Sequence, residues 1–214
     1  MVEINMKSVV LSLNYLPSLE WFAVFLSSDH VFIDIHEHYI KQSYRNRCHI
    51  LSANGKLALS IPVKKLNTKE AVKDIQLEND FNWQSQHWDA ICSAYNSSPF
   101  IFYYKDYFEP LFKRRYSGLM EWNITLLDLC LKLLKIDKQY TLSAHYIEDE
   151  NALDYRNSIH PKIHSTFNSP SYLQVFTEKY PFHPNLSIID LLFNEGNAAK
   201  QYLLALSENI NLKK

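Results

Sequence analysis

Apolar and polar positions follow two rhythms along this chain, and the rhythm changes near Asn82. Before that point the apolar runs are short and rich in strand-forming residues. Residues 8–13 predict a first strand, and residues 31–35 a second. Between them the segment Asn14-Tyr15-Leu16-Pro17 turns the chain, with Pro17 suited to the first position of a helix. Leu19, Phe22, Ala23 and Leu26 then recur at helical spacing as far as Ser28. Residues 47–52 and 57–63 flank Asn54-Gly55, the strongest hairpin signal in the sequence.

Beyond Asn82 the spacing becomes helical. Residues 83–95 and 106–116 predict helices separated by an aromatic patch at 100–104. Leu119, Trp122, Leu126, Leu129, Cys130 and Leu133 outline the clearest amphipathic helix. Residues 140–143 predict one more strand. Ser169-Pro170 opens a helix that ends before Pro181. Ser187 followed by Asp190 resembles a capping box, and Gly196 is placed to end that helix in the left-handed conformation. A last helix spans 198–206. The order gives a mixed α/β (α+β) fold: N-terminal strands and a hairpin, then a mainly helical half. No long linker or internal repeat interrupts it, so residues 1–214 form one expected domain. The segment 148–170 is polar and reads as a long surface loop of the kind that carries function.

Composition narrows the function classes. With 47% hydrophobic and 21% charged residues the chain can bury a full core. A net charge of −1 argues against a surface built for nucleic acid. Three glycines leave no phosphate-cradling loop of the P-loop or dinucleotide type. Cys48, Cys92 and Cys130 are widely spaced, which fits neither a disulfide framework nor a structural zinc site and points to a reducing compartment. The first ten residues hold too short an apolar run for a signal sequence, and no stretch reaches the ~18 apolar residues of a membrane span. The expectation is a soluble, cytoplasmic protein.

The most unusual local feature is electrostatic. Between His38 and Glu70 there is no acid, yet Lys41, Arg45, Arg47, Lys56, Lys64, Lys65 and Lys69 all fall there. Arginine binds phosphate or carboxylate through two parallel bonds and lysine acts as a point charge, so this stretch reads as an anion site or, more plainly, as a solvated basic face. His36 and His38 would share one strand face if the second strand continued, a weak metal motif with no third ligand assigned. His160 and His164 are spaced by four, but Pro161 speaks against the helix a zinc motif needs. His87, beside Trp83 and Trp88, is a candidate general base because imidazole titrates near neutrality; a hydrogen-bonded structural histidine is its plainer reading. Arg47 next to Cys48 would favour a thiolate there. The aromatic cluster Tyr95, Phe100, Phe102, Tyr103 and Tyr104 suits sugar or base stacking, or simply core packing.

Several segments together resemble the WbqC-like proteins of bacteria. They are Leu13-Asn14-Tyr15-Leu16-Pro17, the run from Glu37 through Gln42, Tyr44, Arg45, Asn46 and Arg47 to Cys48, and Leu59-Ser60-Ile61-Pro62-Val63. Trp83 with His87, Ser98-Pro99-Phe100, Asp154-Tyr155-Arg156, His160-Pro161-Lys162 and the run from Asn185 to Gly196 complete them. Many members carry Gln-Pro where this chain has Leu13-Asn14. The resemblance implies an accessory enzyme of surface-polysaccharide (O-antigen type) biosynthesis, a transferase acting on an activated sugar or its substituent. On that reading Arg45 and Arg47, with Lys41, hold an anionic substrate such as a nucleotide sugar. Asn46 and Gln42 hydrogen-bond the sugar, Tyr15 closes the pocket and His87 moves the proton. Two rivals stand beside it: a non-catalytic scaffold docking through the basic hairpin, and a metal-dependent hydrolase using His36 and His38. No metal site is assigned, the cofactor is unknown and the oligomeric state is left open.

Overall fold

A computed structural model describes residues 7–66, 68–163 and 165–210 of the chain. Strand β1 (Ser8–Ser12) is apolar on both faces, with Val9, Val10 and Leu11 all buried, which is the pattern of an inner parallel strand rather than of a half-wetted one. Helix α1 (Leu19–Ser27) carries the chain back, so β2 (His30–Asp34) pairs parallel to β1 in the register Ser8↔His30 to Ser12↔Asp34. Pro17 lies just outside α1; its carbonyl accepts the backbone N–H of Ile188.

The hairpin follows. β3 (Arg47–Ser52) and β4 (Gly55–Ser60) pair antiparallel around the two residues Ala53 and Asn54. Gly55 sits at φ 97°, where a Cβ would be strained. β4 begins two residues earlier than its apolar run and stops before Pro62, which has no N–H to continue a ladder.

Helix α2 (Trp83–Tyr95) matches its predicted span. Helix α3 (Ile101–Lys113) does not, because it takes in the aromatic patch. Ile101, Tyr104, Phe108 and Phe112 form its buried stripe while Phe102, Tyr103 and Tyr107 face outward. A dense aromatic run hid the helical period. Helix α4 (Leu119–Leu133) turns Trp122 and Asn123 into the interior.

Two strands of two residues each finish the parallel sheet. β5 (Thr141–Leu142) lies against β2 and β6 (Leu153–Asp154) against β1, giving the order β5-β2-β1-β6. β6 interrupts the expected loop 148–170.

The helix expected from Ser169 to Pro181 is absent. Gln174 there exchanges hydrogen bonds with the backbone of His183 (3.1 and 3.0 Å) and donates to Asp190 (2.9 Å), and these tertiary bonds replace a helical ladder. Helix α5 (Ile188–Glu195) starts without the expected capping box: Ser187 Oγ donates to the Leu16 carbonyl instead, and Asp190 turns inward. Gly196 ends α5 at φ 55° as anticipated, and α6 (Ala199–Asn209) closes the fold against α1. Phe100 packs so closely on Gly196 that an added Cβ would lie 2.6 Å from its ring.

Candidate functional site

The strands of the parallel sheet run the same way, so Ser12, Asp34 and Asp154 share its carboxyl end. β2 and β6 flank β1 on opposite sides there, the place where open α/β sheets gather ligands. Asp34 is fully buried at the end of β2. Its Oδ1 accepts the His36 N–H (2.9 Å) and Ser143 Oγ–H (2.8 Å); its Oδ2 accepts Arg156 Nη1 (2.5 Å) and the Ile147 N–H (3.2 Å). Arg156 also binds Asp154, with Nη2 2.6 Å from Oδ2. Burial raises the Asp154 carboxyl, but the bonds from Arg156 outweigh it and hold the group below its ordinary value. The Arg156 carbonyl in turn accepts Arg45 Nη2 at 3.1 Å.

That last contact decides what Arg45 does. Its guanidinium is 1% exposed and pairs with Glu37 through two parallel bonds, Nε to Oε1 at 2.8 Å and Nη2 to Oε2. The arginine expected to face a diphosphate is therefore committed to a buried carboxylate and to the backbone of Arg156. Burial pushes Glu37 up to about 7 against the pull of Arg45. Two arginines and three acids thus form one chain of contacts under the sheet's carboxyl end.

Arg47 is placed differently. It is half-buried on β3, and its Nε donates to Ser60 Oγ at 2.9 Å. Ser60 also touches His87 through its backbone, so Arg47 and His87 share a neighbour. Positive charge concentrates around Arg47. His49 titrates at about 4 through burial, then Lys56 and Arg47; His160 is lowered by burial, then Arg45, Lys162 and Arg47. Lys41 and Gln42 are exposed nearby in sequence, and Gln42 holds φ 57°, a left-handed conformation uncommon for glutamine.

His87 and Tyr15 are brought together. Tyr15 Oη lies 3.0 Å from His87 Nδ1. Burial drives the imidazole down to about 4, with the Ser60 backbone bond opposing, so it is neutral at pH 7. A neutral ring that donates to the Ser60 carbonyl accepts from the Tyr15 hydroxyl. Trp83 and Trp122 wall the pair, with Trp83 edge-on to His87 at 5.2 Å and Trp122 6.4 Å from Tyr15. Beside it the loop after β1 is tied to the basic segment: Tyr15 N–H donates to the Tyr44 carbonyl (2.9 Å), and Asn123 Nδ2 donates to Arg45 O (2.7 Å) and Leu13 O (3.4 Å). Asn14 Nδ2, Asn46 Oδ1 and Asn123 Oδ1 are buried without a hydrogen-bond partner among the described residues, an unusual concentration of unspent polar atoms.

Other expectations end elsewhere. β2 stops at Asp34, so His36 and His38 lie in a bend and a bridge rather than on a strand face. Among the described residues no group of three His, Cys, Asp or Glu is placed to hold a metal ion. His164 and Met1 to Met6 lie outside the described residues. The Cys48 thiol is buried and pushed well up, opposite to the thiolate expected beside Arg47, because alternation turns it into the core. No described helix is long and apolar enough to cross a membrane.

Two surface cavities stand apart from these residues. One, about 480 Å³, lies between α1, α6 and the segment 166–170; the other, about 490 Å³, lies between α3 and the end of α4. Sequence reasoning missed Asp34, Asn123 and the roles of Glu37, Asp154 and Arg156. An acid closing an apolar strand was the available signal for Asp34; no apolar run precedes Asp154, and nothing local marks Asn123.

The fold and these contacts define an α/β protein with a charge-paired polar centre at the carboxyl end of a parallel sheet. The sequence pattern of the WbqC-like protein family matches residues 13–166 and 155–202, and the chain belongs to that family. Uncharacterized protein Rv1507c of Mycobacterium tuberculosis (strain ATCC 25618 / H37Rv) is 23% identical over 225 residues, covering 92% of this chain and 97% of its own. No solved structure matches.

Proposed function

We propose that this protein is a cytoplasmic accessory enzyme of surface-polysaccharide biosynthesis that transfers a group to or from a nucleotide-linked sugar. The observation that carries the reading is Ser60, which Arg47 touches through Oγ and His87 through the backbone. An anion-holding guanidinium and a neutral imidazole are thereby fixed one residue apart. Arg47, with Lys41, holds the diphosphate, and Gln42 meets the sugar; Asn46, expected beside it, is buried with its Nδ2 donating to the Ile61 carbonyl at 2.9 Å and acts by holding the loop. His87 takes a proton relayed through the Tyr15 hydroxyl, which its Nδ1 already accepts. Arg45 acts indirectly: with Glu37 it fixes the backbone whose carbonyl Asn123 holds. Family membership supports the setting.

Calorimetric titration with a panel of nucleotide sugars tests this. Arg47→Ala should weaken binding by about 2 kcal/mol, the scale of a lost charge-assisted bond. Unchanged affinity across the panel removes the assignment.

A second reading has one observation in its favour: Lys41, Lys56, Lys64, Lys65 and Lys69 are all exposed whereas Tyr15 and His87 are buried. A docking surface for an acidic partner would have this form. Affinity that collapses with added salt, with no nucleotide sugar bound, would favour it.

A further inference from the structure

The cavity of about 490 Å³ between α3 and the end of α4 is built from two unlike walls. One is aromatic. Tyr103 and Tyr107 are 72% and 51% exposed, and they lie four residues apart on one face of α3. The spacing sets them ~6 Å apart along the helix, close to the length of one pyranose unit. Phe100 lines the cavity beside them, fixed by its contact with Gly196. Exposed rings in a row are unusual on a soluble surface and mark contact sites.

The other wall is cationic. Lys132 and Lys135 line it and are exposed, and no Asp or Glu lines the cavity among the described residues. Lys135 is held at φ 55°, in the left-handed region, and its carbonyl accepts the Lys200 ammonium at 2.8 Å. A non-glycine residue in that conformation is strained and persists only where its surroundings hold it.

We propose that this groove binds a short acidic saccharide, with the apolar faces of successive sugar rings stacked on Tyr103 and Tyr107 and their carboxylates on Lys132 and Lys135. The charge of the second wall favours an anion, and the row of exposed rings along α3 suits a ligand that offers one ring face after another. A mononucleotide offers one flat stacking face, its base, and would leave half the strip bare. The site shares no residue with the Arg47 surface. It deepens the reading above by naming an acidic acceptor or product, and it fails separately from it.

Trigalacturonic acid and its neutral methyl ester are suitable probes, followed by amide chemical-shift titration of the whole chain. The acid should move the signals of Tyr103, Tyr107, Lys132 and Lys135 and saturate, with the ester roughly tenfold weaker or more, as the loss of charge-assisted bonds implies. Tyr103→Ala and Lys135→Gln should each weaken the acid; both side chains are exposed, so neither change threatens folding. Arg47→Ala should leave this titration unaltered while weakening nucleotide-sugar binding roughly thirtyfold, the fold-change of the loss given above. Equal binding of acid and ester, wild-type affinity in both groove variants, no shift with either probe, or saturation by uridine monophosphate in place of the saccharide would each overturn the proposal.

Discussion

Asp34 and Asp190 are both fully buried, and the protein compensates them by opposite means. Asp34 meets a guanidinium at 2.5 Å and belongs to a chain of charges that runs through Arg156 and Arg45 to Glu37. Asp190 meets no cation among the described residues. Its Oδ1 accepts Tyr95 Oη–H at 2.8 Å, and its Oδ2 accepts Tyr172 Oη–H at 2.5 Å and Gln174 Nε2 at 2.9 Å. Burial raises its carboxyl despite those donors. The first centre gathers strand ends and loops at the mouth of the sheet. The second stitches the irregular segment 169–187 onto α2 and α5. A charge network is expensive to bury and is justified where a polar site must be held in one arrangement; neutral donors suffice where only a segment needs anchoring.

Three measurements sharpen or break that contrast. The largest effect belongs to Arg156→Met, which strands Asp34 without a counter-charge and should cost about 3–5 kcal/mol in urea unfolding. A loss under about 1 kcal/mol would put this pair on a par with surface bridges. Asp190→Ala comes next. It leaves two phenols and an amide without their acceptor and should cost about 2–3 kcal/mol, less than the arginine change because no ionic group is abandoned. The smallest effect is a slope. Asp190 has a raised value in the fold, so its contribution is complete below the unfolded value of about 4 and is lost as pH rises through the folded one, at no more than ~1.4 kcal/mol per pH unit. Asp154 is shifted the other way, so its contribution is present above its unfolded value and is lost as pH falls through the folded one. Urea midpoints measured from pH 4 upward should fall with pH in the wild type and fall less steeply in Asp190→Asn, the slope that remains belonging to Glu37, which burial raises in the same direction; an identical slope would detach it from Asp190.

Legibility followed the range of the forces. α1, β2, the hairpin, α2 and α4 declare themselves because burial on one face writes a period into the sequence, and β1 because burial on both faces leaves a short continuous apolar run. β6 is two residues long and has no period to write; only its parallel partner Val9-Val10 defines it. The segment 169–181 has helix-like spacing, yet Gln174 and Tyr172 are claimed by Asp190 from the next element, a long-range contact that no local window contains. The basic stretch was visible as composition. That Arg45 would turn inward to Glu37, eight residues back, while Arg47 stays near Ser60, depends on Arg45 lying in the turn before β3 and Arg47 opening the strand, and on where the bend after β2 delivers the acid. Tyr15 and His87, 72 residues apart, meet because Tyr15 packs on Trp122 of α4, which Trp83 of α2 also meets edge-on at 5.5 Å, one turn before His87.

The brevity of β5 and β6 has a consequence for the protein's life in a crowded solution. They form the two borders of the parallel sheet, and each exposes a backbone row of only two residues. A stray extended chain finds too few free N–H and C=O groups there to zip onto, so the long apolar strands β1 and β2 stay sealed from intermolecular pairing.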